Sequence, residues 1–406
     1  MLSLIVERAL RGEASPRADL DFLEDSPALD ELVEAAHLVT TKCASRVFNF
    51  CTIVNAKSGR CAEDCRWCSQ SSKWTTNAPV FPIVPATRGE SAAARALEHG
   101  IRRLSFVTSG RKLSARELRE IRPVVEAAAS TGLEVCASMG LLTEPELTGL
   151  REAGLVRYHC NLETGPNFFP KVCTTHTQTD KIRTLEAARR AGLELCSGGL
   201  FGMGETIADR IDLACGLRRL EIPSIPLNFL IPIPGTPLAD RPPMTHDEVV
   251  RTVAVFRLVN PSACLRFAGG RQNLAPETAR AALRAGINGA ITGDLLTTPG
   301  SSVEEERRLV LEAGYSLALS RIHPTKNTKG ASLLTPFGCR PPHSRGPRGF
   351  RPICSSLFKK HVGADFAHAA DAPAHSVEHE GKQNEEDDEE EYLGPAVLLP
   401  VIVRTH

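Results

Sequence analysis

The sequence predicts an α/β protein, a parallel (β/α)8 barrel of TIM type, and three observations carry that expectation. Eight short runs rich in β-branched and apolar residues recur between positions 48 and 296, each followed by an amphipathic stretch of Ala, Arg, Glu and Leu. Gly100, Gly132, Gly154, Gly192, Gly286 and Gly314 stand just past these stretches, where a helix takes a left-handed terminator. Finally, eight strand-then-helix units of this spacing fit a closed parallel barrel, with an open doubly wound sheet as the competing architecture. A barrel carries its chemistry at the carboxyl ends of its strands and in the loops that follow them.

The elements follow in order. Residues 1–46 open on a short apolar start, meet Glu7 and continue as a mixed-charge helical pattern, so they form a helical extension ahead of a barrel over 47–320. That opening does not match a signal peptide, and no run reaches the roughly 18 apolar residues of a membrane span, so a cytoplasmic protein is expected. Strands are expected at 48–56, 102–110, 133–140, 155–164, 193–202, 224–232, 264–270 and 288–296. Helices are expected at 91–99, 114–130, 144–153, 178–191, 206–220, 246–259, 276–285 and 303–313.

Charge marks the far boundary. The chain of 406 residues has 48 Lys and Arg against 48 Asp and Glu, but the balance hides a split. Residues 321–362 hold nine Lys and Arg and no carboxylate, while 363–406 hold eleven Asp and Glu against Lys382 and Arg404. The first 320 residues are therefore neutral by themselves, and 321–406 read as a disordered low-complexity tail, basic and then acidic. A basic stretch can bind nucleic acid, but a solvated segment offset by its own acidic end is the simpler reading, and no nucleic-acid partner is expected.

Cysteine carries the chemistry. Thirteen cysteines, an odd number in a large chain, point to reduced thiols used for metal ligation or catalysis. Cys61, Cys65 and Cys68 lie in CAEDCRWC, just after the first expected strand. Three thiolates at spacings of four and three can ligate three irons of a cubane cluster and leave the fourth iron open. A structural zinc site closes its tetrahedron with four protein ligands, so a lone triplet suits zinc poorly.

This C-x3-C-x2-C spacing resembles the signature of the radical S-adenosylmethionine (SAM) enzymes, in which SAM chelates the open iron. The resemblance then narrows. NAKSGRCAEDCRWCSQSS (55–72), YHCNLETG (158–165), CSGGLFGMGET (196–206), PLNFLIPIPGTPLAD (226–240), LRFAGGRQNL (265–274) and LLTTP (295–299) resemble, in order, consecutive motifs of the biotin synthases. That family implies a radical SAM barrel, a homodimer, and a sulfurtransferase that inserts sulfur into dethiobiotin to give biotin. It also implies a [4Fe–4S] cluster on Cys61, Cys65 and Cys68, an auxiliary [2Fe–2S] cluster that supplies sulfur, and a flavodoxin- or ferredoxin-type electron donor.

The resemblance also implies residue roles, each beside a plainer one. Trp67 would pack near the SAM adenine, where a bare aromatic is more often core. Asn161 and Glu163, two apart on the expected fourth strand and so on one face, would hydrogen-bond the SAM ribose and amino group. Glu163 stands where the family more usually has Asp. Lys181 would meet the SAM carboxylate where the family commonly has Arg, unless it is a solvated helix lysine. Gly198 and Gly199 would let the backbone approach SAM. For dethiobiotin, Asn228 would read the ureido ring unless it makes a structural bond inside the barrel. Asn161, His159, Thr297 and Thr298 complete the substrate set, with His159 in a slot where the family often has Asn.

For the auxiliary cluster, Cys136, Cys196 and Arg266 align with three family ligands, but the fourth, a cysteine, is Ser105 here. Two explanations stand. Ser105 is a weak oxygen ligand, or the site is rebuilt with Cys51 or Cys160, which occupy slots that are not usually cysteine; plain burial is the alternative for both thiols. Another radical SAM barrel, of the hydrogenase maturase or methylornithine synthase kind, is the nearest rival reading. A non-catalytic iron–sulfur or zinc protein with a nucleic-acid-binding tail is a remote one.

Overall fold

The structure is a computed structural model, and it describes residues 1–293 and 303–317. Thr297, Thr298 and the tail from 321 lie outside the described residues. Ten strands form one sheet: β1 (Val47–Lys57), β2 (Arg103–Thr108), β3 (Glu134–Ser138), β4 (Leu155–His159), β5 (Glu194–Cys196), β6 (Gly199–Phe201), β7 (Ser224–Phe229), β8 (Cys264–Phe267), β9 (Gly289–Ile291) and β10 (Ser316–Leu317). Neighbours pair parallel in the order β1, β2, β3, β4, β5, β7, β8, β9, and β9 returns to β1, so the sheet closes. β10 adds a short ladder to the start of β1. The expected eight-stave barrel is what forms.

Helices α1 (Leu2–Leu10), α2 (Arg17–Leu20), α3 (Phe22–Asp25) and α4 (Leu29–Cys43) make the extension. Between and after the strands come α5 (Ala86–Glu98), α6 (Ala115–Ala129), α7 (Glu144–Glu152), α8 (Phe169–Val172), α9 (Gln178–Arg190), α10 (Ile207–Arg219), α11 (His246–Val259), α12 (Pro276–Ala285) and α13 (Val303–Glu312). Five of them start on a reciprocal capping box, Ser114/Glu117, Thr143/Glu146, Thr177/Asp180, Thr206/Asp209 and Thr245/Glu248. Each box satisfies two orphan amides and stops the preceding loop at a defined residue, which holds the strand ends in place. The extension shares the barrel's core, since Ile5, Ala9, Leu32, Ala36 and Val39 belong to the same buried cluster as Val249 and Val253 of α11. Among the described residues no helix is long and apolar enough to cross a membrane.

The strands differ from expectation in two places that matter. The fourth ends at His159 rather than 164, so Asn161 and Glu163 stand beyond it, and Glu163 sits at φ 70°. The fifth breaks into β5 and β6 at Ser197 and Gly198. A Cβ on Gly198 would stand 1.9 Å from the Pro226 carbonyl oxygen, so only glycine lets the two staves approach there. Parallel register sets the interior: Ser105 pairs with Cys136 and Cys136 with Arg157, while His159 pairs with Cys196, Cys196 with Ser224 and Ser224 with Cys264.

Candidate active site inside the barrel

A cavity of about 460 Å³ runs from the loops at the carboxyl ends of the strands into the barrel interior. Cys61, Cys65, Trp67, Glu163 and Lys181 line it together with Cys51, Cys136, Cys196 and Arg266. The strand-end position required of a barrel enzyme is thus met.

The cysteine loop is held from two sides. Gln70 Oε1 accepts from Ser58 Oγ at 3.0 Å and from Gly59 N at 3.2 Å, and Cys61 N donates to the Gln70 carbonyl at 3.0 Å. On the other side, Arg66 N donates to Val172 O at 3.0 Å and Asp64 N to Thr175 Oγ1 at 3.1 Å. Cys61, Cys65 and Cys68 are half-buried. Burial, with Cys61 and Glu163 nearby, pushes the Cys68 thiol up to about 11, so a metal is needed to hold it as thiolate. Among the described residues the one trio of donors within 4.8 Å of one another is Cys65, Cys173 and His176. The three loop thiols are spread more widely, as donors to separate irons of one cluster are.

Around this loop, Asn161 Nδ2 donates to Glu163 Oε2 at 2.7 Å and Gly198 N donates to Asn161 Oδ1 at 2.8 Å. Lys181 Nζ lies 3.5 Å from Glu163 Oε1, and its side chain is only 11% exposed, so it is not a solvated helix lysine. Asn161 and Glu163 therefore do converge, through this bond rather than through strand pleating. Trp67 packs on an apolar group of Phe168, Val172, Leu200, Met203 and Leu238 while also lining the cavity. Gly198 and Gly199 do not line it. Their missing side chains are required by Pro226 and by Leu213 and Phe201 respectively, and Gly199 is in β6 rather than a loop. Gly110, Gly140, Gly269 and Gly270 are the glycines that line the cavity.

Deeper, cations surround thiols. Arg266, 2% exposed, donates from Nη1 to Cys51 Sγ at 3.3 Å, from Nε to Ser224 Oγ at 3.3 Å and from Nη2 to Cys264 Sγ at 3.5 Å. Burial opposes its charge, but Cys51, Cys264, Cys196 and Cys136 hold its guanidinium pKa above the ordinary value. Arg103 Nη1 donates to Cys136 Sγ at 3.5 Å. Burial would raise Cys196, yet His159, which hydrogen-bonds it, and then Arg157 and Arg266 bring it down to about 6. Burial raises Cys51 and Cys136. Cys160 lies elsewhere: burial raises it, and its charged neighbours are Lys181 and Glu163. Ser105 lines the cavity beside Cys136 in the sheet. Asn228 Nδ2 donates to Gly199 O and its Oδ1 accepts from Gly269 N, both at 2.9 Å, which leaves one N–H and one lone pair uncommitted.

Sequence reasoning passed over Arg103, Arg157, Cys264, Cys173 and His176. The first two were visible as arginines inside strand patterns, and Cys264 as the residue two before Arg266 on one strand face.

Two family models cover the barrel: the Radical SAM superfamily over 56–214 and the Biotin and Thiamin Synthesis associated domain over 226–316. Biotin synthase from Porphyromonas gingivalis is 44% identical over 318 residues, 78% of this chain and 96% of that protein. The chain belongs to the biotin synthase family. Biotin synthase from Parabacteroides distasonis is 45% identical over 296 residues, 73% of this chain and 90% of that protein. Among solved structures, methylornithine synthase has the same fold, with a TM-score of 0.66 at 16% identity over 78% of this chain and 97% of that one. The hydrogenase maturase HydG from Carboxydothermus hydrogenoformans gives a TM-score of 0.65 at 14% identity over 77% and 78%. At those identities they speak for the barrel alone. The activity of this chain is that of a biotin synthase, a radical SAM sulfurtransferase whose cofactors are a [4Fe–4S] cluster and SAM.

Proposed function

We propose that the cavity converts dethiobiotin to biotin with Cys61, Cys65 and Cys68 holding the [4Fe–4S] cluster and the thiols deeper in the barrel holding the auxiliary one. The observation that carries this reading is a single cavity with the loop thiols Cys61 and Cys65 at its mouth and Cys51, Cys136, Cys196 and Arg266 at its depth. The donor sets suit both groups. At the mouth, a hydrogen bond to Cys173 and burial at Cys65, and burial at Cys68, make these two thiols resist ionisation unless iron takes the proton's place. At depth, Arg103, Arg157 and Arg266 bring three guanidinium groups to the inner wall; Arg103 and Arg157 are ion-paired with Glu134 and Glu194, whereas Arg266 has no carboxylate partner among the described residues and meets only thiols and neutral oxygens. Buried positive charge of that kind calls for an anionic occupant, and an iron–sulfur cluster is one.

When bound, the groups supply reductive cleavage of SAM to a 5′-deoxyadenosyl radical at one end and sulfur at the other. The chain positions and shields. Lys181 is the cation for the SAM carboxylate, Glu163 and Asn161 hold its ribose and amino group, and Trp67 closes the apolar side. Asn228, with one N–H and one lone pair free, reads the ureido ring, and His159 bonds Cys196 between the substrate and the auxiliary site. Gly198 and Gly199 set the wall behind Asn161. Cys51, at Arg266, is the thiolate that replaces the one lost at Ser105; Cys160 belongs with the SAM side. A cytoplasmic homodimer fed by a flavodoxin- or ferredoxin-type donor completes the reading.

The test is an anaerobic assay of the reconstituted chain with dethiobiotin, SAM and a reductant, reading 5′-deoxyadenosine and biotin separately. Both products are expected. The absence of both would overturn the reading, and 5′-deoxyadenosine without biotin would overturn the auxiliary half of it.

A further inference from the structure

Three metal-binding side chains from two parts of the chain meet at the edge of the cluster loop. Cys65 comes from the loop after β1, and Cys173 and His176, spaced C-x2-H, come from the loop between α8 and α9. One donor atom from each lies within 4.8 Å of the other two, and among the described residues no other trio of Cys, His, Asp or Glu does this. The two loops are stitched together beside the donors, by Arg66 N to Val172 O at 3.0 Å and by Asp64 N to Thr175 Oγ1 at 3.1 Å.

The spacing is that of ligands around one tetrahedral ion. Zinc, with Zn–S about 2.3 Å and Zn–N about 2.0 Å, sets two thiolates about 3.8 Å apart and a thiolate and an imidazole nitrogen about 3.5 Å apart. Here Cys65 Sγ and Cys173 Sγ are 3.7 Å apart, and Cys173 Sγ is 3.3 Å from His176 Nδ1 and 3.7 Å from Nε2. Nδ1 also bonds the Glu63 carboxylate, so Nε2 is the nitrogen left for an ion. A carboxylate on the other ring nitrogen is the usual orienting partner of a ligating imidazole. Cys173 and His176 are 2% and 7% exposed. Two thiolates, a neutral imidazole and a divalent ion sum to zero charge, which suits such burial. Asp64 Oδ1, 3.4 Å from Cys173 Sγ, is satisfied without the thiol by Thr174 N at 2.9 Å and Thr175 N at 3.2 Å. Cys65 and His176 line the cavity, so a fourth ligand can come from that side. Sulfur with imidazole selects a borderline ion over magnesium or calcium.

We propose that Cys65, Cys173 and His176 form a mononuclear site for a borderline divalent ion, zinc or ferrous iron, in the cluster-free chain. Cys65 serves both centres on the reading above, so the single ion and the [4Fe–4S] cluster exclude each other. The ion occupies a cluster thiol until the cluster is built.

The test is anaerobic titration of the full-length, cluster-free chain with cobalt(II). One equivalent is expected to bind with thiolate-to-cobalt charge-transfer bands and intense tetrahedral d–d bands, and zinc or ferrous iron is expected to displace it. Cys173→Ala and His176→Ala are each expected to weaken that equivalent by about 10-fold or more, and Cys215→Ala, on α10, to leave it unchanged. Parent-like affinity and bands in the first two variants overturn the proposal. X-ray absorption of the zinc-loaded parent gives a reading independent of any variant. Two sulfurs and one imidazole nitrogen are expected at the ion, and three sulfurs without nitrogen, the triplet of Cys61, Cys65 and Cys68, overturn the site. Cluster reconstitution is expected to release the ion. An ion retained one-to-one beside a full [4Fe–4S] cluster would leave the ion site standing and overturn the exclusion, and with it the reading of Cys65 as a cluster ligand.

Discussion

Arg266 Nη1 stands 3.3 Å from Cys51 Sγ, so the arginine proposed as an auxiliary-cluster ligand is already in contact with the cysteine proposed to stand in for Ser105. The pair predicts unequal effects of two similar substitutions. Cys51→Ala should lower auxiliary iron and sulfide and cut biotin formation by about 10-fold or more, roughly 1.4 kcal/mol of barrier. Cys160→Ala should leave that iron and sulfide unchanged. Iron and sulfide counts on anaerobically reconstituted protein check it, and equal content in both variants would refute the exchange.

Gly198 is set by protein packing. Gly198→Ala puts a methyl group 1.9 Å from the Pro226 carbonyl and should cost about 3 kcal/mol of stability, at the upper end for overpacking. Denaturant unfolding of the SAM-free chain measures this. Weaker SAM binding at unchanged stability would return the glycine to a cofactor role.

Lys181 and Glu163 form a pair with side chains 11% and 12% exposed. Lys181→Met strands a buried carboxylate, so stability should fall by about 3 kcal/mol and SAM affinity by at least about 10-fold. Lys181→Arg keeps the charge and should retain most of both. Calorimetric SAM titration alongside thermal unfolding separates the two losses.

Asp64 gives a pH signature. Burial acts to raise its carboxyl, but hydrogen bonds from Thr174 and Thr175 hold it well below the usual carboxylate range. A depressed folded value means that its stabilisation is present above the unfolded value of about 3.9 and is lost as pH falls towards the folded one. Cluster-free protein should therefore exceed Asp64→Asn in stability at pH 7, with the gap closing below about pH 4. Urea midpoints across that range test it, and a constant gap would count against the carboxylate.

Periodicity made the barrel legible, because strands and helices repeat at 2 and 3.6 residues and the boxes that start five helices are local in sequence. The cysteine triplet was legible for the same reason, as three thiols within eight residues of one loop. Strand ends were not. Glu163 at φ 70° pairs with Gly199 at the start of β6, and the break at Gly198 depends on Pro226 of β7 opposite it, which no local pattern records. The same holds for Asn228, whose polar atoms find Gly199 and Gly269 across the barrel.

The sequence by itself determined the fold, the family resemblance and the cysteine triplet, and it placed Ser105 where the resemblance implies a cysteine. Only the tertiary structure decided that Cys51 joins Arg266 while Cys160 faces Lys181, that Lys181 is buried, and that Cys173 meets Cys65 across 108 positions of chain. The reason is physical. A thiol's role depends on the charges and protons within a few ångströms of its sulfur, and in a closed parallel barrel those come from strands and loops far apart in sequence.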